Sequence, residues 1–229
     1  MSAFITGLKE LSKLVDESEN PEPSTNRVNW LKMASGQSAS IRFVNELDED
    51  SPSYDPSRGL ALVAYEHTNP DDFRRKAVCT MDSEGRCFGC EMNDRGKEGW
   101  YKKKRFYINL LFKAEGEEPK VVTWSMGVRR NPTFAFILEY FKETSGISNL
   151  KWLLKRNGMG TDTTWTLMPK APDAEPFDWG RALLESTGSV EAPNLEAALR
   201  KIPYADQEEF YLAVKSEPQQ EVAESNIPW

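Results

Sequence analysis

The 229-residue chain has one histidine and three cysteines, and all four fall between positions 67 and 90. They read His67, eleven residues, Cys79, seven residues, Cys87, two residues, Cys90. An imidazole and three thiolates are donors that a tetrahedral structural zinc ion prefers, and four of them fill its coordination sphere. Cys87-Phe-Gly-Cys90 is a Cys-x2-Cys knuckle, from which two thiolates reach one ion out of a tight turn. Gly89 tolerates the positive φ that such a turn can ask for. With no cysteine or histidine left over, the pattern predicts one structural Zn2+ held by His67, Cys79, Cys87 and Cys90. Other readings attach to the same residues: Cys79 as a small buried hydrophobe, His67 as an ordinary surface residue, and Cys87 with Cys90 as a redox pair. A catalytic zinc keeps one position for water. A nucleobase deaminase pairs His-x-Glu with Pro-Cys-x2-Cys, and neither His67-Thr68-Asn69 nor Arg86-Cys87 supplies these.

A second chemistry lies in residues 100–113, WYKKKRFYINLLFK, with five basic side chains and no acid. On a strand, Lys102, Lys104 and Phe106 share one face and Lys103, Arg105 and Tyr107 the other. Both faces then join cations to an aromatic ring, beside Tyr101. Cations track phosphates and rings stack on bases, at about 1–3 kcal/mol per stacked base, which is how single strands are held. The same run also reads as an edge strand protected by lysines against aggregation. Further groupings are Arg129-Arg130 after Trp124, Trp152 with Lys155 and Arg156 near Trp165, and Phe73 beside Arg74-Arg75-Lys76. The expected nucleic-acid contacts are Tyr101, Lys102, Lys103, Lys104, Arg105, Phe106, Tyr107, Trp124, Arg129, Arg130, Trp152, Lys155, Arg156 and Trp165. Some of these rings must be core.

The totals frame these two signals. Hydrophobic residues make up 39% and charged residues 28%, enough for a real core and unlike a disordered chain. Net charge is -7, which argues against nucleic acid until its distribution is read. The acid excess sits in residues 1–29 and 206–229, leaving 30–205 about neutral, with the positive stripe inside it. That fits a protein that binds polyanions and limits the binding itself. No stretch approaches the roughly 18–20 apolar residues of a membrane span, and the start lacks a signal-peptide pattern. An odd number of cysteines suits metal thiolates in a reducing cytosol.

Residues 1–27 read as an amphipathic helix (3–17) and a linker (18–27). Residues 28–170 read as the core, with a metal-organised subdomain at 67–99. In the core, Val28–Met33, Ser38–Val44, Leu60–Glu66, Trp100–Lys113, Pro119–Met126, Leu150–Lys155 and Thr163–Met168 are the expected strands, and 132–145 a helix behind Pro132. Residues 171–215 read as a helical segment, with helices over 177–186 and 193–215, and 216–229 as a disordered acidic tail. Residues 68–99 have too few apolar side chains to order themselves, and a metal supplies on the order of 10 kcal/mol or more. The fold class expected is mainly β with α (α+β), an OB-fold-like Greek-key barrel with a zinc-binding insert and peripheral helices.

The order of parts resembles a known family. GQSASIRFV, an apolar strand ending in His67, Cys79, Cys87-x2-Cys90 and then KKKRFYINLLF look like the single-stranded DNA-binding, helix-destabilising proteins of T-even and related phages. The resemblance covers roughly 30–170. It implies an OB-fold core, His67, Cys79, Cys87 and Cys90 as zinc ligands, and a DNA cleft lined by the basic run before Phe106-Tyr107. The chain departs from the family's basic N-terminal arm, having only Lys9 and Lys13 in its first helix. The family's late aromatics do not map onto RNGMGTDTTW, where Trp165 is the nearest position. The tail SEPQQEVAESNIPW, closing on Ile227-Pro228-Trp229, looks like the acidic tip by which bacterial single-stranded DNA-binding proteins dock on other enzymes.

The function expected is therefore a phage single-stranded DNA-binding protein of the infected host's cytoplasm. It coats single strands during replication, recombination and repair, recruits replication or recombination enzymes through its tail, and self-associates on DNA. No bond is made or broken. The rival reading is a zinc-ribbon interaction module of transcription or primase machinery, which needs two knuckles where only Cys87/Cys90 forms one. An enzyme acting on nucleic acid would have to use Asp48, Glu49, Asp50, Asp71 or Asp72, which fall in predicted loops.

Overall fold

The computed structural model describes residues 28–171, 173 and 175–213. The expected first helix, the linker after it, and the acidic tail with Ile227, Pro228 and Trp229 lie outside the described residues. In chain order the elements are β1 (Ser38–Phe43), β2 (Leu62–Thr68), β3 (Lys76–Val78), α1 (Met81–Glu84), α2 (Phe88–Asp94), β4 (Lys103–Lys113), β5 (Lys120–Gly127), α3 (Pro132–Thr144), β6 (Trp152–Asn157), β7 (Thr164–Pro169), α4 (Trp179–Thr187) and α5 (Tyr204–Leu212). Short 3-10 turns occupy Gly160–Asp162 and Leu195–Ala198. The described residues divide into two compact units, a larger one over 28–63 and 105–199, and a smaller one over 64–104 and 200–213.

In the larger unit the ladder runs β5-β4-β1-β6-β7, antiparallel at every pairing. Among the described residues β5 and β7 share no ladder, so this sheet is open, where the sequence pointed to an OB-fold-like Greek-key barrel. Strand alternation sends Ile41 and Phe43 of β1, Phe106, Ile108, Leu110 and Phe112 of β4, and Trp152 and Leu154 of β6 into one core. Ile137 of α3 and Ile147 close it, and Phe43 meets Trp152 edge-on at 5.5 Å. Asn131 caps α3 by accepting hydrogen bonds from the Thr133 and Phe134 amides, with Pro132 in the first turn as expected. The opposite sheet face is covered by Leu183 of α4, packed with Val44, Leu111 and Val121.

Four rings expected to meet bases are core side chains instead. Tyr107 and Trp152 are 0% exposed, Trp124 2% and Phe106 3%. The reason is that β4 is flanked by β1 and β5 and covered on both faces, so its apolar run is buried throughout. Two expected elements also differ. Residues 28–33 form only a bridge, Trp30 to Thr123, held by the Leu31 amide on the Thr123 carbonyl and the Thr123 amide on the Asn29 carbonyl. The helix expected over 193–215 is interrupted, because Pro203, which has no N–H to donate, stands at the N-cap of α5.

The acidic segment after β1 is less of a loop than its composition suggests. Glu46 is 1% exposed. Its carboxylate accepts from the Ile147 amide at 3.1 Å, the Ser148 amide at 2.7 Å and the Ser53 hydroxyl at 2.8 Å. Replacing Glu46 by Ala strands two buried amides, and the expected loss is about 3 kcal/mol. In a thermal melt that is a fall on the order of 6–12 °C for a unit of this size; an unchanged midpoint would show that the carboxylate is not structural.

Candidate metal centre and basic surface

All four predicted metal ligands belong to the smaller unit, and the fold brings them together from three segments. β2 presents His67, Cys79 follows β3, Cys87 is the N-cap of α2, and Cys90 lies in the first turn of that helix. Their donor atoms all lie within 4.8 Å of one another, with His67, Cys79 and Cys87 buried and Cys90 half-buried. Cys79 Sγ is 3.6 Å from Cys90 Sγ, and Cys90 Sγ is 3.3 Å from His67 Nε2. Around a zinc ion with bonds of about 2.3 Å to sulfur and 2.0–2.1 Å to nitrogen, the tetrahedral edges are about 3.8 Å and 3.6 Å. The observed separations fit those edges, and all three thiols are free. The cluster is close enough to hold one metal ion, and its donor chemistry suits zinc.

The surrounding groups orient the donors. His67 Nδ1 lies 2.7 Å from the Trp100 carbonyl oxygen. A carbonyl only accepts, so Nδ1 carries the proton and Nε2 offers its lone pair to the cluster. The Cys79 amide donates to the Tyr65 carbonyl at 2.8 Å, tying the loop after β3 back to β2. Gly89 has a role other than the one its turn suggested. Its φ is not positive, but a Cβ there would sit 2.2 Å from His67 Cγ and 2.6 Å from His67 Cβ. Only glycine leaves room for the His67 side chain against this helix turn.

Crowding shapes the acidity of the thiols. Burial raises Cys87, but the His67 ring and the Cys90 and Thr80 amides outweigh it and bring this thiol down to about 6. Burial pushes Cys90 up to about 12, with Cys79 and Cys87 adding to the rise, and burial raises Cys79 as well. One thiolate forms readily; two more in the same space require a cation to offset their mutual repulsion.

The smaller unit's own core is slight: Ala77, Phe88, Trp100 and Tyr211. Trp100 meets Phe88 edge-on at 5.6 Å and Tyr211 at 5.0 Å. Gln207 of α5, 0% exposed, accepts from the Phe88 amide at 2.9 Å and donates to Thr80 Oγ1 at 3.0 Å, so α5 grips both loops that carry cysteines. Sequence reasoning missed Gln207 and Tyr211, since nothing in an acidic helix at residue 204 marks it as a neighbour of residues 67–100.

The basic run divides at the border of the units. In the smaller unit Tyr101 is 56% exposed, and Lys103 Nζ lies 4.7 Å over its ring. Lys102 and Lys104 place their Nζ atoms 4.7 and 5.1 Å over the ring of Tyr65. Tyr65, 36% exposed, was not singled out in the sequence; the signal was its place two residues before His67 on a strand whose odd positions 63 and 65 face out. In the larger unit Arg129, Arg130 and Lys155 are exposed. Arg105 donates to Ser125 Oγ at 2.9 Å, and Arg156 donates to the Met33 carbonyl and, at 3.3 Å, to Thr163 Oγ1. These two guanidinium groups thus serve the fold first. Trp165 is half-buried, edge-on to Trp124 at 5.4 Å.

No protein family, no curated protein and no solved structure matches the chain. No helix among the described residues is long and apolar enough to cross a membrane.

Gly89→Ala should drive the imidazole off its seat and lower the metal content of the purified protein well below one equivalent, as Cys87→Ser should by removing a ligand. Elemental analysis and a thermal melt with and without chelator check both. A chelator-insensitive melt of the wild type would show that no ion supports the unit.

Proposed function

We propose that the protein binds single-stranded DNA without sequence preference, coating transient single strands in replication, recombination and repair, and that one structural zinc ion shapes the binding surface. The observation that carries this reading is the pair of exposed tyrosines, Tyr65 with two lysine ammonium groups 4.7 and 5.1 Å over its ring and Tyr101 with one at 4.7 Å. A ring face open to solvent accepts any base, and a cation beside it meets the phosphate of the stacked nucleotide. A duplex hides its base faces, so the same surface favours unpaired strands and melts weak duplex by mass action.

The metal cluster supports the surface through β2, which carries both Tyr65 and His67. Zinc, when bound, neutralises the thiolates and joins the segments; the chain's own groups do the rest. Trp100 orients the imidazole, Gly89 admits it, and Gln207 holds the two cysteine loops. The open five-stranded antiparallel sheet of the larger unit is consistent with an OB-like, partly open barrel that presents Arg129, Arg130 and Lys155. The reading extends to a phage protein of the T-even type in the host cytoplasm, with the acidic tail ending Ile227-Pro228-Trp229 docking partner enzymes. It assigns no bond-making step to the protein.

Binding of fluorescent oligo(dT) tests it. Tyr65→Ala should weaken binding about 5- to 150-fold, the equivalent of about 1–3 kcal/mol for one stacked base. The logarithm of affinity should fall with the logarithm of salt at about -0.7 per phosphate contact, a slope reduced by Lys102→Ala. Equal affinity for duplex of the same length would overturn the proposal.

A further inference from the structure

Strand alternation puts Ser40 and Arg42 of β1, Leu111 and Lys113 of β4, and Leu153 and Lys155 of β6 on the sheet face opposite the main core of the larger unit. Three cations therefore share one face. The segment leading into α4 lies on it. Asp173 forms an ion pair with Arg42, whose side chain is only 8% exposed. The Arg42 guanidinium carbon sits 4.1 Å from the centre of the Phe177 ring. Trp179 stacks in the same manner with Arg58, at 4.8 Å. Beside these contacts runs an open groove of about 810 Å3. Its lining includes Arg42 and Lys113 on the sheet, Lys151 just before β6 and Glu118 in the β4–β5 turn, and on the covering side Asp173, Asp178 and Glu185 with Arg181, which is paired to Glu185 at 2.8 Å.

The groove is thus mainly basic on the sheet side and mainly acidic on the covering side, where Arg181 is already paired to Glu185. A carboxylate and an aromatic ring on one guanidinium reproduce what a nucleotide offers an arginine, an anion to bind and a π face to stack on. We propose that Asp173 and residues 175–179 are a built-in pseudo-ligand: this acidic, aromatic strap occupies a second single-strand groove on β1 and β4, and a phosphate and a base of single-stranded nucleic acid take the places of Asp173 and Phe177 when it lifts. The proposal rests on the single-strand-binding reading above and adds to it a site and a brake on that site.

The strap is built to part from the sheet without unfolding it. Asp173 is 42% exposed at its side chain and Phe177 is half-buried, whereas α4 behind them is anchored by Leu183 at 1% exposure. The Asp178 side chain caps α4 by accepting from the Arg181 amide, so the helix starts independently of what precedes it. A strap that is closed about 90% of the time weakens apparent affinity about tenfold.

The test uses the full chain. Asp173→Lys sets two cations against each other and lifts the strap. Oligo(dT) binding should tighten about tenfold, with a salt slope more negative by about 0.7 for the phosphate gained at Arg42. Asp173→Asn, which keeps the side chain's shape, should tighten it about threefold, and melting curves establish that both variants are folded. Independently, hydrogen exchange of the wild type should quicken over 173–182 when oligo(dT) is added. Unchanged affinity in the variants, with exchange unchanged or slowed, overturns the strap while binding that still depends on Tyr65 keeps the earlier reading. Binding by the variants but not by the wild type supports the strap as a full block. Failure of every form to bind oligo(dT) overturns both.

Discussion

The close approach of the His67 side chain to the bare α-carbon of Gly89 is the contact on which the smaller unit depends. A Cβ at 2.2 Å from the ring would be intolerable, so the imidazole and the first turn of α2 approach as closely as backbone allows. That approach brings Cys87 and Cys90 to the donor edge of the ring, while the Trp100 carbonyl behind it sets which nitrogen faces them. With Ala77, Phe88, Trp100 and Tyr211 buried in its core and Met92, Ile202 and Phe210 packed against them among the described residues, this unit has little apolar burial to hold it. The convergence of three thiols and an imidazole gives it a second source of order, one that a cation completes.

The larger unit is stabilised differently. Its sheet buries both faces of β4, and its polar interior is paired. Glu46 is satisfied by two amides and a hydroxyl, and Asn109 donates to the Pro193 carbonyl and accepts from Thr123 Oγ1. Such groups cost little once paired and a good deal when orphaned, so they hold the loops after β1 and α3 to one arrangement. The border between the units falls between Lys104 and Arg105, inside the basic run. On one side of it lysines lie over exposed tyrosines; on the other the same strand turns apolar and enters a core.

This division explains how a chain of net charge -7 can carry local clusters of cations. Cations are concentrated beside aromatic rings, and part of the acid is set against them within the fold. Asp173 on Arg42 is the clearest case, since it supplies a nearly buried guanidinium with a carboxylate partner. Surface charge here acts locally, over distances shorter than about the 8–10 Å screening length in salt.

What was readable in the linear chain was chemistry that depends on residue type and on near neighbours. The four soft donors within one stretch of 67–90, the β4–β5 hairpin, the helix behind Pro132 and the β6–β7 pair are all local in the chain, and all four features are present. The basic run was equally plain, but not which of its rings meets water. Trp152 and Tyr65 differ in exposure because of strands and helices brought from elsewhere in the chain, and neither strand's own pattern carries that information. Gln207 under Thr80 and Asp173 on Arg42 join positions 127 and 131 residues apart. The amino-acid sequence by itself determined the donor set, the local periodicities and the sites of charge. Tertiary structure alone decided that glycine faces the imidazole, which rings are exposed and which arginine is already occupied, because burial and pairing depend on what long-range packing places on the far side of each side chain.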